Sequence, residues 1–152
     1  MCNIVQYQYK ELTEKIIGCA YTVYNQMGFG FLESVYEKCL LIELRKAGLN
    51  AESQQAIMVY YENQIVGNFV ADIIVEDSVI LELKSVRRLA RVHETQLVNY
   101  PAATGKKVGL LLNFGEQKDE VKRKVKNLNK KYLTGSQDKQ DSYIFRKSSQ
   151  SS

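Results

Sequence analysis

The sequence predicts an α/β fold with a mixed sheet of about four strands, flanked by helices, in the order α-α-β-β-β-α-β. Three observations predict it. Apolar residues recur at helical spacing in two stretches between about Glu14 and Ala47. Three short β-rich runs then follow one another, separated by polar turn residues. Finally, a helical segment lies between the third of these runs and a wholly apolar one, which is the pattern of a right-handed crossover between parallel strands.

The first helix is expected from about Glu14 to Met27, capped by Thr13. Ile16, Cys19, Ala20, Val23 and Met27 form its buried stripe, and Gly28-Phe29-Gly30 stops it. A second helix is expected from Leu32 to Ala47, with Val35, Tyr36, Cys39, Leu40 and Leu44 inward and Gly48 as its stop. Ile57–Tyr61 and Ile65–Val75 read as strands around Glu62-Asn63-Gln64. Val79–Lys84 is the third strand of the meander, Leu89 to about Thr104 is the helix closed by Gly105, and Val108–Phe114 is the buried strand. Beyond Gly115 the chain turns basic, and Val121, Val125 and Leu128 allow one short amphipathic element.

At 152 residues the chain is long enough for one domain with a real core. We assign that domain to residues 1–133 and expect the polar segment 134–152 to be disordered, with Tyr143-Ile144-Phe145 an apolar island able to dock back or bind a protein partner. Removing residues 134–152 is therefore expected to leave the melting temperature within about 2 °C of the full chain. A larger fall would show that the island packs into the core. No apolar run approaches the roughly 20 residues that span a bilayer, and the first ten residues lack the order of a signal peptide. Cys2, Cys19 and Cys39 are odd in number and widely spaced, which fits reduced thiols in a cytoplasmic setting rather than a disulfide or zinc framework. The net charge of +4 permits a polyanionic partner without demanding one.

The stretch Asp72–Lys84 carries the chemistry. If Glu76-Asp77-Ser78 forms a turn, Val75 faces Val79 and Asp72 comes opposite Glu82, while Glu82 and Lys84 share a strand face. Two carboxylates and an ammonium on apolar strands are costly to bury unless they pair or hold a metal. Hard cations such as Mg²⁺ take one or two carboxylates plus water and phosphate. A neighbouring lysine can then orient water or offset phosphate charge. The same residue types also make a cross-strand salt bridge on a solvated face.

A second group is Gln96 and Tyr100, four apart on one helix face with His93 beside them. It reads either as hydrogen-bonding groups next to a metal site or as a polar outer stripe. Glu33, in a first helical turn, is favoured there by the macrodipole alone, and Tyr36 is most simply core. Lys122, Arg123, Lys124 and Lys126 suit either phosphate binding or a solvated face.

Taken together, Gly30-x-x-Glu33-x-x-Tyr36, Glu-Leu-Arg-x-x-Gly-Leu at 43–49, Ala71-Asp72, Leu81-Glu82-Leu83-Lys84, His93-Glu94-x-Gln96-Leu97-x-Asn99-Tyr100 and Gly109–Gly115 resemble the GxxExxY protein family. That family is similar to the PD-(D/E)XK nuclease superfamily, and the resemblance runs from about Leu12 to Asn127. It implies a restriction-endonuclease-like αβββαβ core and a Mg²⁺- or Mn²⁺-dependent phosphodiesterase site acting on nucleic acid, with DNA the expected substrate. Asp72 and Glu82 would be metal ligands, Glu33 would complete the metal shell, and Lys84 would be the catalytic lysine. Gln96 and Tyr100 match the Q-x-x-x-Y pattern of the exonuclease-like branch. A non-catalytic nucleic-acid-binding or regulatory module on the same fold is the alternative. Two positions depart from the family pattern: Val70 stands where a basic residue is common, and Pro101 interrupts the helix carrying Tyr100.

Overall fold

Helical periodicity begins earlier than the apolar stripe alone requires. The computed structural model describes residues 3–93, 108–116 and 120–125, with the backbone alone for 3–8 and 120–125. In it α1 spans Asn3–Met27, because Tyr9 and Leu12 extend the same stripe and pack against the core. Thr13 is therefore not a cap. It is buried inside the helix, and its hydroxyl donates to the Lys10 carbonyl at 2.9 Å, the alternative open to a threonine in mid-helix. Ile16, Ala20 and Val23 are buried as expected, with Cys19 and Met27 partly so. Gly28 and Gly30 follow in left-handed conformations, φ 70° and 107°. The second helix, α2, covers Glu33–Lys46 and ends at Gly48, φ 78°, whose N–H donates to the Arg45 carbonyl at 3.0 Å.

Strand β1 (Ala51–Tyr61) starts six residues before the expected Ile57 and pairs with β2 (Gln64–Val75) through a two-residue loop. Glu62 and Asn63 in that loop have φ of 48° and 62°, the left-handed pair that a tight hairpin needs. Polar Glu52, Ser53, Gln54 and Gln55 hid the early start, since cross-strand pairing rather than propensity orders them. The strand β3 (Val79–Lys84) pairs antiparallel with β2 as Val75↔Val79, Ile74↔Ile80 and Ile73↔Leu81. It then pairs parallel with β4 (Val108–Asn113). A fifth strand, β5 (Glu120–Val125), extends the mixed sheet along β4, giving the order β1-β2-β3-β4-β5. The short amphipathic element anticipated after Gly115 is in part this strand. Its Lys-Arg-Lys centre obscured it, although lysine is a common residue on exposed edges.

Both α1 and α2 pack on one face of the sheet. Their apolar residues share a core with Ile73, Val75, Val79, Leu81, Leu83, Val108, Leu110 and Leu112. Ile57, Ala71, Ile74 and Ile80 form a smaller cluster on the other face. The expected crossover helix starts two residues later than expected, since Leu89 and Ala90 are not helical; residues 91–93 are, and the rest of it lies outside the described residues. Among the described residues, no helix is long and apolar enough to cross a membrane.

Candidate active site

The site forms where β2 parts from β3. Pairing ends at Ile73↔Leu81, so Asp72 is the next residue on β2 and Glu82 the next on β3, as the hairpin count predicts. Asp72 does not continue the backbone ladder. Its carboxylate instead accepts the Leu83 N–H at 2.8 Å. Ile73 and Val75 face the helix side while Ala71 belongs to the opposite cluster, so side-chain alternation slips at Asp72. Across the β1–β2 register stands Gln54, whose φ is 52° and which the ladder skips between Ser53↔Ile73 and Gln55↔Ala71. A non-glycine residue in that region costs of order 1 kcal/mol or more, and such outliers gather at functional sites.

Leu81 and Leu83 enter the helix-side core, which turns Glu82 and Lys84 to the other side of β3. The Glu82 and Asp72 carboxyl groups lie within hydrogen-bonding reach of each other. Burial, then the Asp72 charge and the shared hydrogen bond, pushes the Glu82 carboxyl up to about 8, against the opposing pull of the Lys84 ammonium; Glu33 adds a smaller push. Glu82 Oε1 is buried without a hydrogen-bond partner. An orphaned carboxylate oxygen beside a second carboxylate is a defect in a structural salt bridge and an asset in a metal site.

The helix side supplies two further acids. Glu33 begins α2 and accepts the Ser85 N–H at 3.4 Å, while the Ser85 hydroxyl donates to the Phe31 carbonyl at 2.9 Å. Glu37, one turn on, accepts the Gln54 carboxamide at 2.9 Å. Its carboxyl is raised chiefly by burial and also by Asp72, with the Gln54 bond and Lys38 acting in the opposite direction. Neither Glu37 nor Gln54 was singled out from sequence. Glu37 had a signal, its place four residues after Glu33 on one helix face; Gln54 had none. Among the described residues no three His, Cys, Asp or Glu side chains already converge on a point fit for a metal. The donors present are the Asp72–Glu82 pair, with Glu33 in electrostatic range. An all-oxygen pair with one unsatisfied atom fits a Mg²⁺-type ion that keeps several waters.

A frame of backbone contacts holds these groups. The Tyr36 hydroxyl donates to the Gly28 carbonyl at 2.6 Å and accepts the Phe31 N–H at 3.3 Å, and its ring stacks on Phe114 at 4.5 Å. Tyr36 is fully buried, so the third member of Gly30-x-x-Glu33-x-x-Tyr36 is core, bracing the loop that starts α2. The Asn113 carboxamide accepts the Val86 N–H at 3.0 Å and donates to the Val86 carbonyl at 2.8 Å. Asn113→Ala strands both backbone groups of half-buried Val86 and is expected to cost on the order of 1–3 kcal/mol, read as a drop in denaturant midpoint.

His93 Nδ1 accepts the Ala90 N–H at 3.1 Å, the plain hydrogen-bonding role. Gln96, Tyr100, Pro101 and Lys126 lie outside the described residues. Lys122, Arg123 and Lys124 lie on β5, where Lys122 is in register with Leu111, itself paired with Glu82. Val70 is exposed at the departure from the family pattern.

The raised Glu82 carboxyl has a sign in stability. Folded Glu82 keeps its proton up to about 8, whereas in the unfolded chain it ionises near 4.5. Between those values the folded state binds the extra proton, so stability falls as pH rises through this window, by on the order of a few kcal/mol, and the slope vanishes below it. Thermal melts should show this slope in the wild type and a flatter one in Glu82→Gln. Mg²⁺ held by Glu82 would compete with that proton, and so should raise the melting temperature more at about pH 8.5 than at about pH 6. Equal slopes for the two proteins would refute the assignment.

Among curated proteins none matches the chain. The crystal structure of SSO0001 is similar to it, with 18% identity and a TM-score of 0.49 over 63% of this chain. The aligned region spans half the length of SSO0001 (50%). The sequence model described as the PD-(D/E)XK nuclease superfamily matches residues 10–124, from the first half of α1 into β5 and across both strands that bear Asp72, Glu82 and Lys84. The chain belongs to the PD-(D/E)XK nuclease superfamily.

Proposed function

We propose that this chain is a Mg²⁺- or Mn²⁺-dependent nuclease that hydrolyses DNA phosphodiester bonds, of the GxxExxY kind within the exonuclease-like QxxxY branch. The observation that carries this reading is the Asp72–Glu82 carboxyl contact with its unpartnered Glu82 oxygen, two residues along β3 from Lys84. Asp72 and Glu82 hold the metal, and Glu33 assists from the start of α2. When bound, the divalent ion polarises the scissile phosphate and acidifies water. Lys84 orients the attacking water or offsets charge building on the phosphate. Gln96 and Tyr100 position the substrate through neutral hydrogen bonds.

Lys122, Arg123, Lys124 and Lys126 attract the nucleic-acid backbone, a reading supported by the register that puts Lys122 two strands from Glu82. A cytoplasmic, reducing setting suits the free thiols of Cys19 and Cys39. The segment 134–152 contacts a protein partner through Tyr143-Ile144-Phe145.

The test is incubation of the purified protein with linear and circular, single- and double-stranded DNA in Mg²⁺ or Mn²⁺, with Asp72→Asn as control. Metal-dependent cleavage that the control lacks supports the reading. Nucleic-acid binding without cleavage of DNA or RNA, under either metal, would assign the chain to a non-catalytic binding module.

A further inference from the structure

The acids at the site create an electrostatic problem for a nucleic-acid substrate. Asp72 and Glu33 act on Glu82, and Asp72 acts on Glu37; the Lys84 ammonium opposes them at Glu82 and the Lys38 ammonium at Glu37. A phosphodiester strand is repelled by such a cluster unless cations stand beside it.

The chain provides them immediately after Lys84. Arg87 and Arg88 are exposed, and among the described residues neither is ion-paired or hydrogen-bonded. Unpaired guanidinium groups that follow Glu82 and Lys84 by only a few residues are poorly explained as structural ion-pair partners. Nor is the backbone that carries them loose. The Phe114 N–H donates to the Lys84 carbonyl at 2.8 Å, Ser85 is tied to Glu33 and Phe31, and both backbone groups of Val86 are held by Asn113. Gly115 approaches so closely that a Cβ there would overlap the Val86 carbonyl oxygen, and the Tyr24 hydroxyl donates to the Gly115 carbonyl at 2.9 Å. Residues 84–86 are thus fixed from both sides, and the two arginines extend from an anchored base. A guanidinium fork matches phosphate oxygens and sheds water more readily than an ammonium.

We propose that Arg87 and Arg88 form a phosphate-binding step adjoining the carboxylate pair, which seats the sugar–phosphate backbone of a nucleic acid beside Lys84. The inference rests on the nuclease reading above for the identity of its ligand. Contacts to phosphate carry no base information, so the step binds all sequences alike.

The test measures binding of labelled DNA oligonucleotides of two unrelated sequences to the full chain, with Ca²⁺ as the divalent ion, between about 50 and 200 mM salt. Arg87→Gln/Arg88→Gln should weaken binding at least about tenfold for both sequences and lower the salt slope by about two. Arg87→Lys/Arg88→Lys should recover most of that slope, and Lys10→Ala/Lys15→Ala, on the exposed side of α1, should leave it unchanged. Both arginines are exposed, so melting temperatures should match the wild type. If the folded double-Gln variant keeps the wild-type affinity and slope, the inference is wrong, and the nuclease reading survives if the wild type still cleaves. If the slope falls as expected while the wild type cleaves nothing, the phosphate step stands and the nuclease reading fails. A wild type without salt-dependent binding overturns both.

Discussion

Lys84→Ala is expected to reduce DNA cleavage by on the order of 10²–10³ or more while leaving fold and metal affinity close to wild type. The reason is positional. Leu81 and Leu83 lock β3 into the core, so Lys84 shares its face with Glu82, and the Lys84 carbonyl is anchored by the Phe114 N–H. The ammonium is electrostatically coupled to Glu82 and lowers its proton affinity. It lies in electrostatic range of Glu82, where it would meet charge developing on a phosphate. Lys84→Arg keeps the charge but changes its shape and reach, so it should recover only part of the rate. A single-turnover cleavage assay, with metal binding by calorimetry alongside, separates these effects. Loss of metal binding equal to the loss of rate would show Lys84 to be structural instead.

Asp72→Asn carries the second large expectation, a fall of at least about 10–100-fold in Mn²⁺ affinity, the range that even outer-shell partners of a metal command. Asparagine can still accept the Leu83 N–H through its carbonyl oxygen, so the parting of β2 and β3 should survive. What disappears is one carboxylate charge and the like-charge pressure that helps raise Glu82. The variant should therefore lose metal affinity and cleavage while its pH-dependent loss of stability shrinks. Calorimetry and thermal melts across pH read the two consequences independently. Equal Mn²⁺ affinity in both proteins would remove Asp72 from the metal site.

The sequence by itself determined the elements with strong periodicity and the local hairpin. Alternation from Asp72 to Lys84 around a three-residue turn leaves one register that buries Leu81 and Leu83, and this register brings Asp72 to Glu82. The motif stretches, Gly30–Tyr36 and Gly109–Gly115 among them, pointed to the PD-(D/E)XK nuclease superfamily, which the match over residues 10–124 shows. Only the tertiary structure decided the rest. β5 and the early part of β1 are polar and become strands because a neighbouring edge pairs with them. Gln54 reaches Glu37, and Asn113 grips Val86, across 17 and 27 residues of chain respectively. No local pattern encodes those contacts, since a carboxamide finds its partner through the packing of α2 on the sheet and of β4 beside β3. The raised proton affinity of Glu82 likewise has no sequence signature, because it arises from burial and from a carboxylate delivered by another strand.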